Sequence, residues 1–117
     1  MDYIYLDHIA ANPTDQRVID AMLPYLSVNY GNPLALYAVG QAAAEGMNLA
    51  RQQTAALINA LPEEIIFTSC GSESNNFALK GLAAANLHAG KHIITSAIEH
   101  FSVLHPLRSL EKDGYKV

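Results

Sequence analysis

The sequence predicts an α/β fold with parallel strands, and three observations predict it. Two short runs rich in β-branched and aromatic residues, 64–68 (Glu-Ile-Ile-Phe-Thr) and 92–96 (His-Ile-Ile-Thr-Ser), read as buried strands. A stretch of helical periodicity follows each of them. A third run, Tyr115-Lys116-Val117, opens as another strand after the last helix, so the second half reads β-α-β-α-β.

The elements can be justified in order. Residues 3–6 (Tyr-Ile-Tyr-Leu) are apolar and read as a short strand or an extended arm. Residues 7–13 are irregular, because Pro13 disfavours helix at the residue before it. Asp15 can start a helix reaching about Asn29, since Val18, Met22, Leu26 and Asn29 share one helical face and all but the last are apolar. Pro24 lies inside that run and is expected to kink or divide it. Gly31-Asn32-Pro33 is a break. A second helix is predicted over 39–60, ended by Pro62. Its stripe is Ala43, Met47, Ala50, Thr54, Leu57 and Leu61, rich enough in alanine for close approach of a neighbour. After the strand at 64–68, the turn Ser69-Cys70-Gly71-Ser72 leads into a third helix over 73–87. That helix is apolar almost all round, which predicts burial on most sides, and Gly90 closes it. Ile98-Glu99-His100 leaves the carboxyl end of the strand at 92–96. A fourth helix over 102–112 turns Val103, Leu107 and Leu110 inward and stops at Gly114. There is no internal repeat, low-complexity stretch or linker.

Composition narrows the function classes. The 117 residues make one domain at most. Hydrophobic residues are 50% and charged ones 15%, against a usual charged share of about 25%. That excludes disorder and suggests surfaces meant for other protein. The net charge of -4 and pI near 5.6 argue against a general nucleic-acid or anionic-membrane binder. No apolar run reaches the ~18 residues of a membrane span. The single cysteine, Cys70, excludes an internal disulfide framework and fits a reducing compartment. The acidic start lacks the basic region of a signal peptide, so the expected location is the cytoplasm. Two strands and one apolar helix cannot cover one another, and the last run stops as a strand begins. The expectation is therefore a fragment, or a chain that depends on a partner.

Two places can carry chemistry. The turn Ser69-Cys70-Gly71-Ser72-Glu73 joins the carboxyl end of a strand to a helix N-terminus, where free N–H groups and the helix dipole attract anions. Gly71 lets the backbone approach a ligand, and the Ser72 hydroxyl can bond a phosphate oxygen. The plainer alternative is an ordinary helix cap, with Ser72 capping and Glu73 complementing the dipole. The turn matches neither G-x-G-x-x-G nor G-x-x-x-x-G-K-[ST], which disfavours dinucleotide and nucleoside-triphosphate loops. The second place is His100, at the sheet edge where α/β folds bind ligands. An imidazole there can stack on an aromatic ligand or move a proton; its plainer alternative is a satisfied loop histidine. Cys70 is better explained by packing than as a nucleophile, because no basic residue is near it in sequence. Asp7-His8 is read as structural. No metal site is expected, since His88 and His92 straddle Gly90 and there is no H-E-x-x-H or cysteine pair.

The motifs taken together resemble one family. Tyr5-Leu6-Asp7-His8-Ile9-Ala10-Ala11-Asn12-Pro13 is similar to the opening of cysteine desulfurases, pyridoxal-phosphate enzymes of the class V aminotransferase family. Tyr30-Gly31-Asn32-Pro33 and Gly40 follow in order. Residues 64–69 then lead into Gly71-Ser72-Glu73-Ser74-Asn75-Asn76, which resembles the family's Gly-Thr-Glu-Ser/Ala-Asn-Asn turn. Gly90-Lys91-His92-Ile93-Ile94-Thr95-Ser96 and Glu99-His100 complete the series. The resemblance covers essentially the whole chain.

It implies the incomplete N-terminal part of the large domain of a PLP-dependent transferase, aspartate-aminotransferase-like and built in three α/β/α layers. Residues 1–62 would be an N-terminal arm and helices, and 63–117 the start of the PLP-binding domain. Gly71 and Ser72 would hold the phosphate of pyridoxal 5'-phosphate, and His100 would stack on its ring and assist proton transfer. The complete enzyme would remove sulfur from L-cysteine, giving alanine and a protein persulfide passed on for iron-sulfur cluster assembly. It would be a homodimer with a sulfur-acceptor protein as a partner. Neither the family's cofactor-anchoring lysine, its aspartate at the pyridine nitrogen, nor its persulfide-forming cysteine has a counterpart here, so this chain is expected to be inactive alone. Asn12, Leu34, Ala35, Tyr37, Cys70 and Phe101 depart from the usual family residues. The alternatives are another class V enzyme such as selenocysteine lyase, or a non-catalytic remnant that associates with a partner subunit.

Overall fold

The computed structural model describes residues 4–117, so Tyr3 of the predicted arm lies outside it. The helices are α1 (Gln16–Ser27), α2 (Ala38–Leu57), α3 (Gly71–Ala85) and α4 (Phe101–Lys112), with 3-10 turns at Pro62–Glu64 and Leu87–Ala89. The chain divides into two compact units, Met1–Ile65 and Ile66–Val117.

In the first unit, Asp15 caps α1 by accepting the Arg17 N–H at 2.8 Å, and its carboxylate pairs with the Arg17 guanidinium at 2.8 Å. That pair holds the Asp15 carboxyl below its usual range. Pro24 does not divide the helix, which runs through it to Ser27. The loop after α1 folds back on the start of α2. A Cβ on Gly40 would lie 2.5 Å from the Ala35 carbonyl oxygen and 2.6 Å from that of Asn32, so only glycine allows this approach. The helix α2 stops at Leu57, three residues earlier than predicted from Pro62. The reason is Asn59, which takes the left-handed conformation (φ 53°) and lets the Ala60 N–H reach the Ala55 carbonyl at 2.9 Å. Arg51 Nε then donates to the Ile65 carbonyl, tying α2 to the turn at Pro62–Glu64. His8 bonds Asn12 at 2.7 Å rather than Asp7, so Asp7-His8 forms no relay.

The second unit is built on α3 and α4. Leu107, Leu110 and Tyr115 are buried, and Leu79, Ala83, Ile93 and Val103 pack on them. Gly114 (φ 86°) ends α4: its N–H bonds the Glu111 carbonyl, and the Tyr115 N–H bonds that of Leu110, each at 3.0 Å. This places Tyr115 directly on Leu110, and its hydroxyl donates to the Ala83 carbonyl of α3 at 2.7 Å. Lys91 closes the same end, donating to the Asp113 carbonyl at 3.0 Å.

The predicted strands are corrected. No β-strand forms among the described residues. At 64–68, Pro62 starts a 3-10 turn that takes up Glu64, whose carboxylate accepts the Leu61 N–H at 2.7 Å. At 92–96 and 115–117 the pairing is one parallel bridge, His92 with Lys116, carried by Ile93 N–H to the Lys116 carbonyl and Lys116 N–H to the Lys91 carbonyl. The parallel sense is as predicted, but a parallel strand needs a continuous ladder of backbone partners and apolar cover on both faces. Here Ile66 and Ile94 are 60% and 89% exposed. The burial expected of α3 is corrected for the same reason. None of its residues is buried, and Phe77 and Leu82 face solvent. In α2 the buried positions are Gly40, Ala43 and Ala55, so most of the predicted stripe is exposed.

Among the described residues, Leu107 is the one large side chain that is fully buried. Leu107→Ala should cost ~2–5 kcal/mol by transfer and cavity terms, read as a lower urea midpoint. An unchanged midpoint would mean that this cluster does not hold the unit.

Candidate functional site

Within the second unit, the first turn of α3 and the residue before α4 face one cavity. Gly71 is the first residue of α3, and the first helical bond is Ser74 N–H to the Cys70 carbonyl. The N–H groups of Gly71, Ser72 and Glu73 therefore have no partner within the helix. Glu73 reaches back and accepts from the Ser69 N–H at 2.6 Å and the Ser69 hydroxyl at 2.7 Å. Those two donors, the backbone one first, hold its carboxyl below the usual 4.5. Ser72 does not cap the helix: Cys70 is the N-cap, and the Ser72 hydroxyl makes no hydrogen bond among the described residues.

Cys70 is exposed at this turn. The Glu73 N–H first, then the Ser69 hydroxyl and the Ser72 N–H, pull its thiol below the ordinary 9.0, against weaker opposition from burial and the Glu73 carboxylate. The thiol thus sits at the N-terminus of α3, the place the sequence reading reserves for an anion, and makes no capping hydrogen bond there.

His100 is the N-cap of α4, its Nδ1 accepting the Ser102 N–H at 3.1 Å. The Ser102 hydroxyl lies 2.8 Å from the same nitrogen, and Asn75 Nδ2 of α3 donates to that hydroxyl at 2.8 Å. Ser72 and His100, far apart in sequence, line one open cavity of about 340 Å³ together with Asn76, Lys80, Phe101 and His105. Gly71 does not line it. Asn76 and Lys80 escaped the sequence reading, although their spacing of four and eight from Ser72 puts all three on one helical face. No cluster of metal-ligating side chains occurs among the described residues.

The cavity is thus lined by a hydroxyl from the first turn of a helix and by a planar imidazole. A sequence profile of the aminotransferase class-V family matches residues 4–117. The chain belongs to the class-V aminotransferase family. It is 47% identical over 114 residues to cysteine desulfurase IscS of Methanosarcina thermophila, a match covering 97% of this chain and 28% of that protein. A solved NifS-like protein superposes with a TM-score of 0.90 at 37% identity, over 97% of this chain and 31% of that one. A structure of SspA in complex with cysteine superposes with a TM-score of 0.86 at 40% identity, over 97% and 33%. The chain thus spans about a third of the length of these relatives, and it corresponds to their N-terminal part. Its backbone is that of the N-terminal segment of this α/β transferase fold, although no sheet is formed among the described residues.

The lowered thiol predicts that alkylation of Cys70 reaches half its maximal rate below pH 9.0, and that Ser69→Ala moves this point upward. A half-rate at or above 9.0 would contradict the donor arrangement. For Glu73 the folded pKa is depressed, so its contribution is complete above 4.5 and is lost as pH falls through the lower folded value. Circular dichroism followed downward from pH 4.5 should show α3 losing helicity in the wild type, with Glu73→Gln lacking this acid-dependent component.

Proposed function

We propose that this chain is the N-terminal segment of a cysteine-desulfurase-like, PLP-dependent enzyme, in which residues 1–62 supply arm and helices and 63–117 begin the cofactor-binding domain. The observation that carries the reading is the convergence of Ser72 and His100 on one cavity in a chain whose relatives are cysteine desulfurases. The residues fit the cofactor. The cavity is of small-molecule size. The N–H groups at the start of α3, which have no partner within the helix, and the Ser72 hydroxyl suit a phosphate. The His100 ring suits a face against a pyridine.

Gly71 and Ser72 would hold the phosphate. His100 would lie along the ring. Bound pyridoxal phosphate supplies an electron sink for bond breaking next to the substrate amine. The protein's part here is to bind and orient; the covalent anchor and the sulfur nucleophile would come from elsewhere in a complete enzyme. L-cysteine as substrate is supported by the names of the relatives and by the cysteine complex of SspA. A sulfur-acceptor protein and a homodimer belong to the same reading. No described helix is long and apolar enough to cross a membrane. A cytoplasmic site is supported by an exposed free thiol, which a reducing compartment preserves.

The test measures alanine released from L-cysteine by the chain alone, and by the chain mixed with a polypeptide covering the remaining length of an IscS relative. The expected result is none alone and alanine from the mixture. Ser72→Ala should weaken pyridoxal-phosphate binding in the mixture about tenfold or more, the worth of one hydrogen bond to a charged group. Alanine from the chain alone would overturn the claim of dependence. A folded mixture that binds the cofactor and releases no alanine would overturn the desulfurase reading.

A further inference from the structure

The direction of every proton around His100 Nδ1 follows from one donor that cannot be reversed. The Ser102 backbone N–H, 3.1 Å away, can only donate. Nδ1 is therefore an acceptor, and a neutral ring carries its proton on Nε2. The Ser102 hydroxyl, 2.8 Å from the same nitrogen, must then donate to it as well. That leaves the hydroxyl's lone pairs facing α3, where Asn75 meets them at 2.8 Å, and only the amide NH2 of Asn75 completes the chain. The orientation of the Asn75 amide is thus dictated by the backbone.

We propose that Asn75 and Ser102 are positioning residues for His100: a one-way donor relay, Asn75 Nδ2 to Ser102 Oγ to His100 Nδ1, that ties the imidazole to α3 and adds a second donor to the nitrogen which the Ser102 backbone N–H already keeps unprotonated. The inference rests on the reading of His100 as the residue that lies along the cofactor ring. Its consequence is specific. With Nδ1 engaged by two donors, the ring offers the cavity a flat face and an N–H, and no free basic nitrogen. In this state His100 stacks and donates; to take up a proton it must first release Ser102. The relay also crosses from α3 to α4, so it holds the ring and the Ser72 turn at a constant separation.

The experiment reads the tautomer directly, in the ¹⁵N-labelled 117-residue chain without ligand, from imidazole ¹H–¹⁵N spectra tuned to the ring couplings. The expected wild-type result is a single tautomer at His100, Nδ1 unprotonated and Nε2 protonated. Asn75→Asp is nearly isosteric but accepts instead of donating, so the Ser102 hydroxyl turns away; the backbone N–H still keeps Nδ1 unprotonated, and the loss of one of its two donors moves the Nδ1 resonance downfield. Ser102→Ala should show the same downfield shift, and Ser102→Thr, which keeps the hydroxyl, should not. Where Ser102→Ala fails to fold, Asn75→Asp decides. Averaged tautomers in the wild type, or a wild-type Nδ1 resonance in Asn75→Asp, would overturn the relay. Pyridoxal-phosphate binding is measured separately. A single tautomer in a mixture that binds no cofactor refutes the proposed function and leaves the relay standing. Cofactor binding with averaged tautomers refutes the relay alone.

Discussion

Tyr115 holds the second unit together, and the cavity depends on it. Its ring packs with Leu107 and Leu110, and its hydroxyl closes on the Ala83 carbonyl across the gap between α4 and α3. A buried tyrosine whose hydroxyl is satisfied contributes both apolar area and a directional constraint. The constraint sets how far α3 slides along α4, and so where the turn at 70–72 stands relative to His100. Gly114 makes this possible, since only a left-handed residue there returns the chain onto Leu110.

The rest of the molecule is held more lightly. Few hydrophobic side chains are buried among the described residues, and many large ones are exposed, from Ile9 and Leu36 to Phe77 and Ile98. In the first unit α1 buries nothing, and an apolar groove of about 830 Å³ lies between α1 and α2, lined by Val18, Met22, Tyr25 and Met47. A low charged fraction and this much uncovered apolar surface have one physical origin: the sequence is composed for more contact than 117 residues provide. The turn before α3 is strong by contrast, because its polar groups satisfy one another locally through Ser69, Glu73 and Cys70.

Much of this was legible in residue order. The helices fall where periodicity and caps put them, within a few residues, because helix formation is settled by neighbours three and four positions apart. Asp15, Gly114 and the turn at 70–72 announced themselves by residue type. The misses have equally particular causes. Asn59 ended α2 before Pro62 could, since a left-handed asparagine satisfies helix carbonyls sooner than a proline forbids continuation. Cys70, not Ser72, became the N-cap, because Glu73 reaches back to Ser69 and draws the turn two residues earlier.

By itself the sequence determined the helices, the parallel sense of the pairing between 92 and 116, the anion-friendly turn and the family, all of which rest on local spacing or on the identity and order of motifs. Only the tertiary structure decided that Ser72 and His100 share a cavity, that Asn75 and Ser102 orient the imidazole, and that the predicted strands remain without a sheet. The first two outcomes depend on residues 27 or more positions apart meeting in space, and no pattern read along the chain carries the distance between α3 and α4.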